Sequence, residues 1–238
     1  MEQYGFQDLH PELQAEVAQH AWPEDRESLS RTNRHLRATI HHPNHHETTV
    51  HTQEQLVQAL NNPALTVIRL AGEWLTVNQA PAAPECQIIA KADNVSVRAA
   101  ATVHVHDNVR VHAYDGAVIE AAGDADIAAM GCRVTARGNA RINAWSCEVT
   151  AYEDAYVHAA WKAKVWATDN TRITARSQAT ITGLANTVRI WADDTATTTD
   201  TLPGTVLTIP THDLPHPNNF DWTALEALWH THAPQPDH

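Results

Sequence analysis

The chain has 238 residues, of which 43% are hydrophobic and only 6% aromatic, and its formal net charge is -12. No apolar run reaches the length of a membrane span. Three cysteines are too few for a disulfide framework, which favours a reducing cytoplasm. Residues 95 to 200 hold ten basic and twelve acidic residues, so they offer no concentrated basic stripe and nucleic-acid binding is not expected.

The first forty residues show the pattern of a helical hairpin. Leu13 and Val17 lie on one face of the first predicted helix, and Pro23 opens a second helix that buries Leu29 and Leu36. The acidic first turn and basic later turns of the second helix suit the helix dipole.

These residues resemble the opening of an F-box, the helical motif that docks substrate receptors onto a ubiquitin ligase. The matching residues are Leu9-x-Pro11-Glu12-Leu13, Val17, Pro23-Glu24-Asp25, Leu29-Ser30, Asn33-Arg34 and Leu36-Arg37. The resemblance implies a Skp1-like adaptor as a protein partner, and a docking hairpin formed by Leu9, Pro11, Leu13, Val17, Leu29 and Leu36. His10 departs from the proline common in the family. The alternative is that the hairpin only caps the first coil of the fold that follows.

A histidine-rich run, His41-His42-Pro43-Asn44-His45-His46, closes the first segment, residues 1 to 46. Imidazole binds zinc, copper and nickel, but no cysteine or carboxylate stands at zinc-site spacing. We therefore interpret the run as a solvated linker and expect no metal and no cofactor.

The second segment, residues 47 to 94, begins with a capping box. Thr52 and Gln55 open a helix that ends near Leu60, where it is expected to seal the first coil. Strands are predicted at 66–70 and 74–77, and residues 88–90 begin an irregular coil.

Residues 95 to 200 repeat a short unit of alternating apolar residues. The units start eight residues apart, except for two steps of seven, at Val103, Val111, Ile119, Ile127, Val134, Ile142, Val149, Val157, Val165 and Ile173. Each unit predicts a five-residue strand with one buried face, followed by a tight polar turn. A period this short predicts a solenoid with a thin interior.

Two shortened units determine how many strands make one coil. Cys132 and Cys147 take inward places that alanine holds elsewhere, in two shortened units with one unit between them. They stack directly if two units form one coil of 15 to 16 residues. The sequence therefore predicts a mainly β fold, a flattened parallel β-solenoid with an N-terminal helical cap.

The last segment, residues 201 to 238, closes the solenoid. Residues 206–209 predict a final strand, although the repeat degrades beyond Trp191. A short amphipathic helix from Trp222 to Trp229 is expected to cover the C-terminal edge.

The outward residues sort into two faces, of which one is more basic and aromatic. It supplies the candidate binding face: Arg110, Arg141, Tyr156, His158, Arg172 and Trp191. Guanidinium and aromatic groups suit interfaces, although charge ladders that keep a sheet soluble explain the same pattern.

The function expected from this pattern is a non-catalytic protein-interaction module. Corners of three residues or fewer leave no groove walls for a carbohydrate-active enzyme, and no carboxylate pair stacks on a strand face. A self-assembling scaffold is the main alternative. A DNA mimic would need a more acidic surface, and ice binding a cleaner threonine ladder.

Overall fold

The computed structural model describes residues 46–185, 187–199, 201, 206–209 and 222–232. The chain divides into two compact units, Met1–His46 and Glu47–His238. The predicted docking residues Leu9, Pro11, Leu13, Val17, Leu29 and Leu36 lie outside the described residues, as does the histidine-rich run up to His45.

Most of the regular elements in the described part of the second unit are β-strands. The first strand begins one residue before this unit. The helices and strands, in chain order, are β1 His46–Val50, α1 Gln53–Leu60, β2 Leu65–Leu70, β3 Thr76–Val77, β4 Gln87–Ala90, β5 Val95–Val97, β6 Thr102–Val105, β7 Arg110–Ala113, β8 Val118–Ala121, β9 Asp126–Met130, β10 Arg133–Ala136, β11 Arg141–Trp145, β12 Glu148–Ala151, β13 Tyr156–Ala160, β14 Lys164–Ala167, β15 Arg172–Ala175, β16 Thr180–Gly183, β17 Arg189–Ala192, β18 Thr197–Thr199, β19 Val206–Thr208 and α2 Trp222–His232.

The strands alternate between two parallel sheets. Sheet A has ten strands in the order β1-β2-β4-β6-β8-β10-β12-β14-β16-β18, and sheet B has nine in the order β19-β17-β15-β13-β11-β9-β7-β5-β3. Arg133 pairs with Glu148, and Lys164 with Thr180, which are steps of 15 and 16 residues. The predicted parallel β-solenoid with two strands per coil is confirmed.

Vertical columns of small aliphatic side chains fill the interior. Ile119 lies between Val103 and Val134, and Ala121 is stacked on Ala136, all of them fully buried. Burying one such branched side chain contributes about 1.5–3 kcal/mol, so the repeated column is the main stabilising feature. The alternating apolar pattern produces this column because successive side chains of a strand point to opposite faces.

Cys132 and Cys147 lie in adjacent coils, as the shortened units predict. The backbone N–H of Cys132 donates to Cys147 Sγ at 3.4 Å, and both residues are buried. The next residues, Arg133 and Glu148, are register partners. The two shortened units therefore lack a turn residue at the same corner in adjacent coils.

Helix α1 seals the first edge of sheet B. Thr52 accepts from the backbone of Gln55, completing the predicted capping box. The Gln53 amide donates to the Thr76 carbonyl and accepts from the Thr76 N–H, each at 2.9 Å, so it occupies the place of a further strand. Leu56 and Leu60 are fully buried. The predicted strand at 74–77 is shorter, because Trp74 has a positive φ of 63° and cannot continue it.

The C-terminal part differs from expectation in two ways. The repeat continues past Trp191, because Thr197–Thr199 still pairs with β16. Helix α2 packs on the outward face of sheet B, where Leu225 and Trp229 contact Trp191. Neither helix in the described ranges has the length and apolar character that crossing a membrane requires.

Candidate binding surface

The predicted binding residues lie on the outward face of sheet B in the expected register. One row runs through Arg110, Asp126, Arg141, Tyr156, Arg172 and Arg189. The row beside it contains His158, Thr174 and Trp191. Alternation along the strands brings these residues together as the sequence indicates.

Trp191 is fully buried by helix α2. Its Nε1–H donates to the Leu225 carbonyl at 3.1 Å, and its ring meets that of Trp229 edge to face, with centroids 5.2 Å apart. His158 is also buried, with its Nδ1 2.6 Å from Thr174 Oγ1. These two predicted residues are thus not displayed at the surface in this arrangement. The leucine and tryptophan residues along one side of α2 were the sequence feature that indicated a helix packed on the solenoid.

The other residues of the predicted face largely contact one another. Arg110 Nε lies 3.2 Å from Asp126 Oδ2 in an exposed ion pair. Arg172 stacks over the Tyr156 ring at 5.1 Å and donates to its hydroxyl at 3.3 Å. Arg141 is exposed between Asp126 and Tyr156. These contacts fit a charge ladder that keeps the sheet soluble as well as they fit a binding face.

Large apolar side chains stand at the connections from sheet B to sheet A in three successive coils. We call this the aromatic corner and define it by Met130, Trp145 and Trp161, with Lys162 next to Trp161. Met130 and Trp145 are register partners, whereas the partner of Trp145 in the next coil is Ala160, and Trp161 follows one residue later. Met130 is 42% exposed and Trp161 60%, while Trp145 is half-buried. The corner thus spans three coils, or about 10 Å at the usual strand spacing.

A further tryptophan lies on the outward face of sheet A. Trp166 is 38% exposed at the third position of β14, and Lys164 is exposed two residues before it. The sequence pattern did not identify Trp145 and Trp161 as candidates, because it predicts polar residues at the turns. Large apolar residues at the same turn of alternate units were the available signal.

The backbone holds the aromatic corner in place. Gly131 N–H donates to the Trp145 carbonyl at 3.0 Å, Ser146 N–H to the Ala160 carbonyl at 3.2 Å, and Lys162 N–H to the Ser177 carbonyl at 3.3 Å. The backbone hydrogen bonds between neighbouring coils thus continue around this corner. Trp161 and Lys162 have φ values of 54° and 69°, which non-glycine residues adopt rarely.

A shallow depression of about 550 Å³ adjoins Trp161. It is lined by Ser146, Trp161, Lys162, Ser177, Gln178, Asp193 and Thr195. Asp193 is buried, and its Oδ1 accepts hydrogen bonds from the N–H and hydroxyl of Thr195, at 2.9 and 2.7 Å, and from Ala196 N–H. The Asp193 carboxyl group therefore stabilises this turn.

The connections from sheet A to sheet B form a polar corner, defined by Gly123, Gly138, Glu153 and Asp169. Its carboxylates accept backbone N–H groups of the neighbouring coil: Glu153 accepts from Gly138 at 2.7 Å, and Asp169 from Glu153 at 3.1 Å. The acidic side chains of this corner thus accept hydrogen bonds from backbone N–H groups of the turns.

Within the described ranges, no three His, Cys, Asp or Glu side chains are grouped in a way that could hold a metal ion. On sheet A, His104 Nδ1 lies 3.1 Å from Glu120 Oε2, and this hydrogen bond holds the pKa of Glu120 below its ordinary value.

The fold defines the class of this protein as a parallel β-solenoid. No protein-family model, curated protein or solved structure matches the chain.

Proposed function

We propose that this chain is a non-catalytic protein-interaction module whose solenoid presents the aromatic corner to a protein partner. The observation that carries the proposal is that Met130, Trp145 and Trp161 stand at the same corner of three successive coils, exposed or half-buried on a hydrogen-bonded backbone. Tryptophan dominates the energetics of protein interfaces, and contiguous exposed apolar side chains mark interaction sites.

The rigidity of the scaffold supports this proposal. A partner that meets a preformed surface loses little conformational freedom of the receptor on binding, which raises affinity for the same contacts. Lys162 and Lys164 flank the tryptophans, so the surface favours a partner with acidic groups around an apolar centre. Arg141 on sheet B extends the basic character, as the sequence suggests.

A non-catalytic role is supported by the shape of the described surface. The interior is filled by aliphatic side chains, and the depression beside Trp161 is shallow, with its carboxyl group engaged in the turn. General acid and base catalysis requires titratable groups that converge on a substrate.

Capture of partners by the purified chain tests the proposal, with two tryptophan variants compared. Trp161→Ala removes the most exposed side chain of the aromatic corner. Trp74→Ala is the matched control, because Trp74 is also exposed, at 73%, and has a similar φ of 63° at a remote turn. We expect Trp161→Ala to weaken binding of the captured protein about tenfold or more, and Trp74→Ala to leave it unchanged. Equal loss in both variants, or in neither, would reject the aromatic corner as the binding surface.

The F-box resemblance supports a second docking element at the N-terminus. In this version the hairpin binds a Skp1-like adaptor while the solenoid holds the client. Deleting residues 1 to 46 separates the two roles. We expect loss of the adaptor and retention of the client, whereas unchanged partners would mean that the hairpin is not a docking element.

A self-assembling scaffold is the second candidate, favoured by strand β18. This strand ends sheet A, and its Thr197 and Thr199 side chains are exposed. Parallel edges of this kind can pair with another chain. Sedimentation velocity over a range of concentrations tests the idea. Thr197 N–H donates to the Ala179 carbonyl, so by alternation the N–H of Thr198 faces the free edge. Assembly that Thr198→Pro abolishes would support the idea, and a constant monomer would reject it.

A further inference from the structure

Two thiols lie against each other beneath the aromatic corner. Cys132 and Cys147 are unbridged, and only 5% and 2% exposed. Cys132 N–H donates to Cys147 Sγ at 3.4 Å. Each thiol also reaches a backbone carbonyl, that of Met130 at 3.2 Å and that of Trp145 at 3.3 Å. Alanine fills the same position at Ala117 and Ala163 in neighbouring coils, so packing alone does not require sulfur here.

The spacing of the coils suits a disulfide between these residues. They directly precede the register partners Arg133 and Glu148 in adjacent parallel strands. Adjacent strands lie about 4.8 Å apart, and the Cα atoms of bridged cysteines lie about 4.4–6.8 Å apart. A bond between the two sulfurs therefore requires side-chain rotation but no separation of the coils.

The two thiols also differ in acidity. Hydrogen bonds from the Cys132 thiol and from backbone N–H groups lower the pKa of Cys147 to about 7. The hydrogen bond between the two thiols, together with burial, raises the pKa of Cys132. Cys147 thus supplies the thiolate needed for attack, and Cys132 remains a thiol beside it.

We propose that Cys132 and Cys147 form an oxidation site that closes to a disulfide between adjacent coils when the protein meets hydrogen peroxide. The Cys147 thiolate attacks one peroxide oxygen, the O–O bond breaks, and the departing hydroxide takes a proton to leave as water. The Cys132 sulfur then attacks the sulfur of the resulting sulfenic acid. Its proton leaves with the displaced hydroxide as a second water. Two thiols are oxidised to one disulfide, and one peroxide is reduced to two waters.

The third cysteine provides an internal control. Cys86 is buried, and burial raises its pKa. Its thiol points to the Gln87 carbonyl at 3.9 Å, and neither of the other cysteines is its register neighbour. The site is independent of the proposed partner-binding function, because it requires only the two stacked coils.

The test treats the full chain with hydrogen peroxide near pH 7, followed by alkylation and a non-reducing tryptic digest. We expect free thiols to fall from three to one, with a linked peptide pair containing Cys132 and Cys147 and an alkylated Cys86. The linked pair should be the only disulfide formed within the chain, because the Cys132 N–H contacts Cys147 Sγ, whereas neither cysteine is a register neighbour of Cys86. Three free thiols in folded, peroxide-treated protein would overturn the proposal, as would a linked pair that contains Cys86.

Alanine variants test which sulfurs form the bridge. Cys132→Ala and Cys147→Ala should each abolish the linked peptide pair, because a disulfide needs both sulfurs. Cys86→Ala should form the bridge at the wild-type rate. Circular dichroism checks that each variant is folded, and if one is not, the wild type and Cys86→Ala decide the outcome. Loss of the linked pair in Cys86→Ala would contradict the assigned partners.

Discussion

The two corners of the solenoid turn the chain through similar angles with different chemistry. The polar corner uses Glu153 and Asp169 to accept backbone N–H groups of the next coil. The aromatic corner closes its ladder largely with backbone carbonyls and leaves Met130 and Trp161 exposed. Side chains of the first corner bond the backbone of the fold, whereas Met130 and Trp161 of the second remain exposed. This contrast is why we propose the aromatic corner as the binding surface.

The largest expected difference comes from glycines at the two corners. Gly138 in the polar corner and Gly116 at the turn before the aromatic corner have φ values of +67° and +81°. A Cβ on Gly138 would lie 2.9 Å from Gly123 N, whereas one on Gly116 meets only Ala100 Cβ at 3.9 Å. Gly138→Ala should cost about 3 kcal/mol and Gly116→Ala about 1 kcal/mol. Urea unfolding measures both, and equal losses would mean that the polar corner is not the tighter one.

A smaller effect is expected from the carboxylate of the polar corner. Glu153→Gln weakens the charge-assisted hydrogen bond from Gly138 N–H, and should lower the unfolding free energy by about 1 kcal/mol. Glu148→Gln is the control, because Glu148 makes only an exposed ion pair with Arg133 at 3.6 Å. Denaturation curves of the two variants should separate. A loss confined to Glu148→Gln would reverse the roles assigned to these carboxylates.

A pH-dependent effect is expected on sheet A, away from both corners. Hydrogen bonding to His104 lowers the pKa of Glu120 below its ordinary value of 4.5. The stabilisation is therefore present above that value and is lost as the pH falls through the lowered pKa. Glu120→Gln should cost less than about 1 kcal/mol at neutral pH, since the pair is partly exposed, and the difference should shrink in acid. In a His104→Gln background the pH-dependent part of the difference should disappear, and its persistence would assign the shift to another group.

The smallest effect on stability should follow Trp161→Ala. An exposed side chain outside the packed core changes the free energy of unfolding by about 0.5 kcal/mol or less. Thermal unfolding of this variant should overlay that of the wild type even where partner binding is lost. A loss of about 2 kcal/mol would instead make Trp161 a structural residue, and the contrast between the corners would fail.

Sequence periodicity predicted the strands, their register and the number of strands per coil. Alternation of Ile119 with polar neighbours identifies an inward face, and the paired shortening at Cys132 and Cys147 identifies the coil length. Both features can be interpreted from local sequence, because the geometry of a strand determines whether the side chain at each repeat position points inward or outward. The predicted face of Arg110, Arg141 and Arg172 is likewise a single face in the structure.

Exposure could not be predicted in the same way. Trp191 and Trp166 occupy equivalent outward positions on opposite sheets, yet Trp191 is fully buried and Trp166 is 38% exposed. The difference comes from helix α2, which folds back from residues distant in sequence to cover Trp191.

The amino-acid sequence by itself determined that the chain winds into a parallel solenoid, since an eight-residue period of alternating side chains has one way to bury its apolar half. Tertiary structure decided which outward side chains remain exposed. That property depends on contacts between separate segments, such as α2 with β17, and a repeat pattern carries no information about which surfaces a segment distant in sequence will cover.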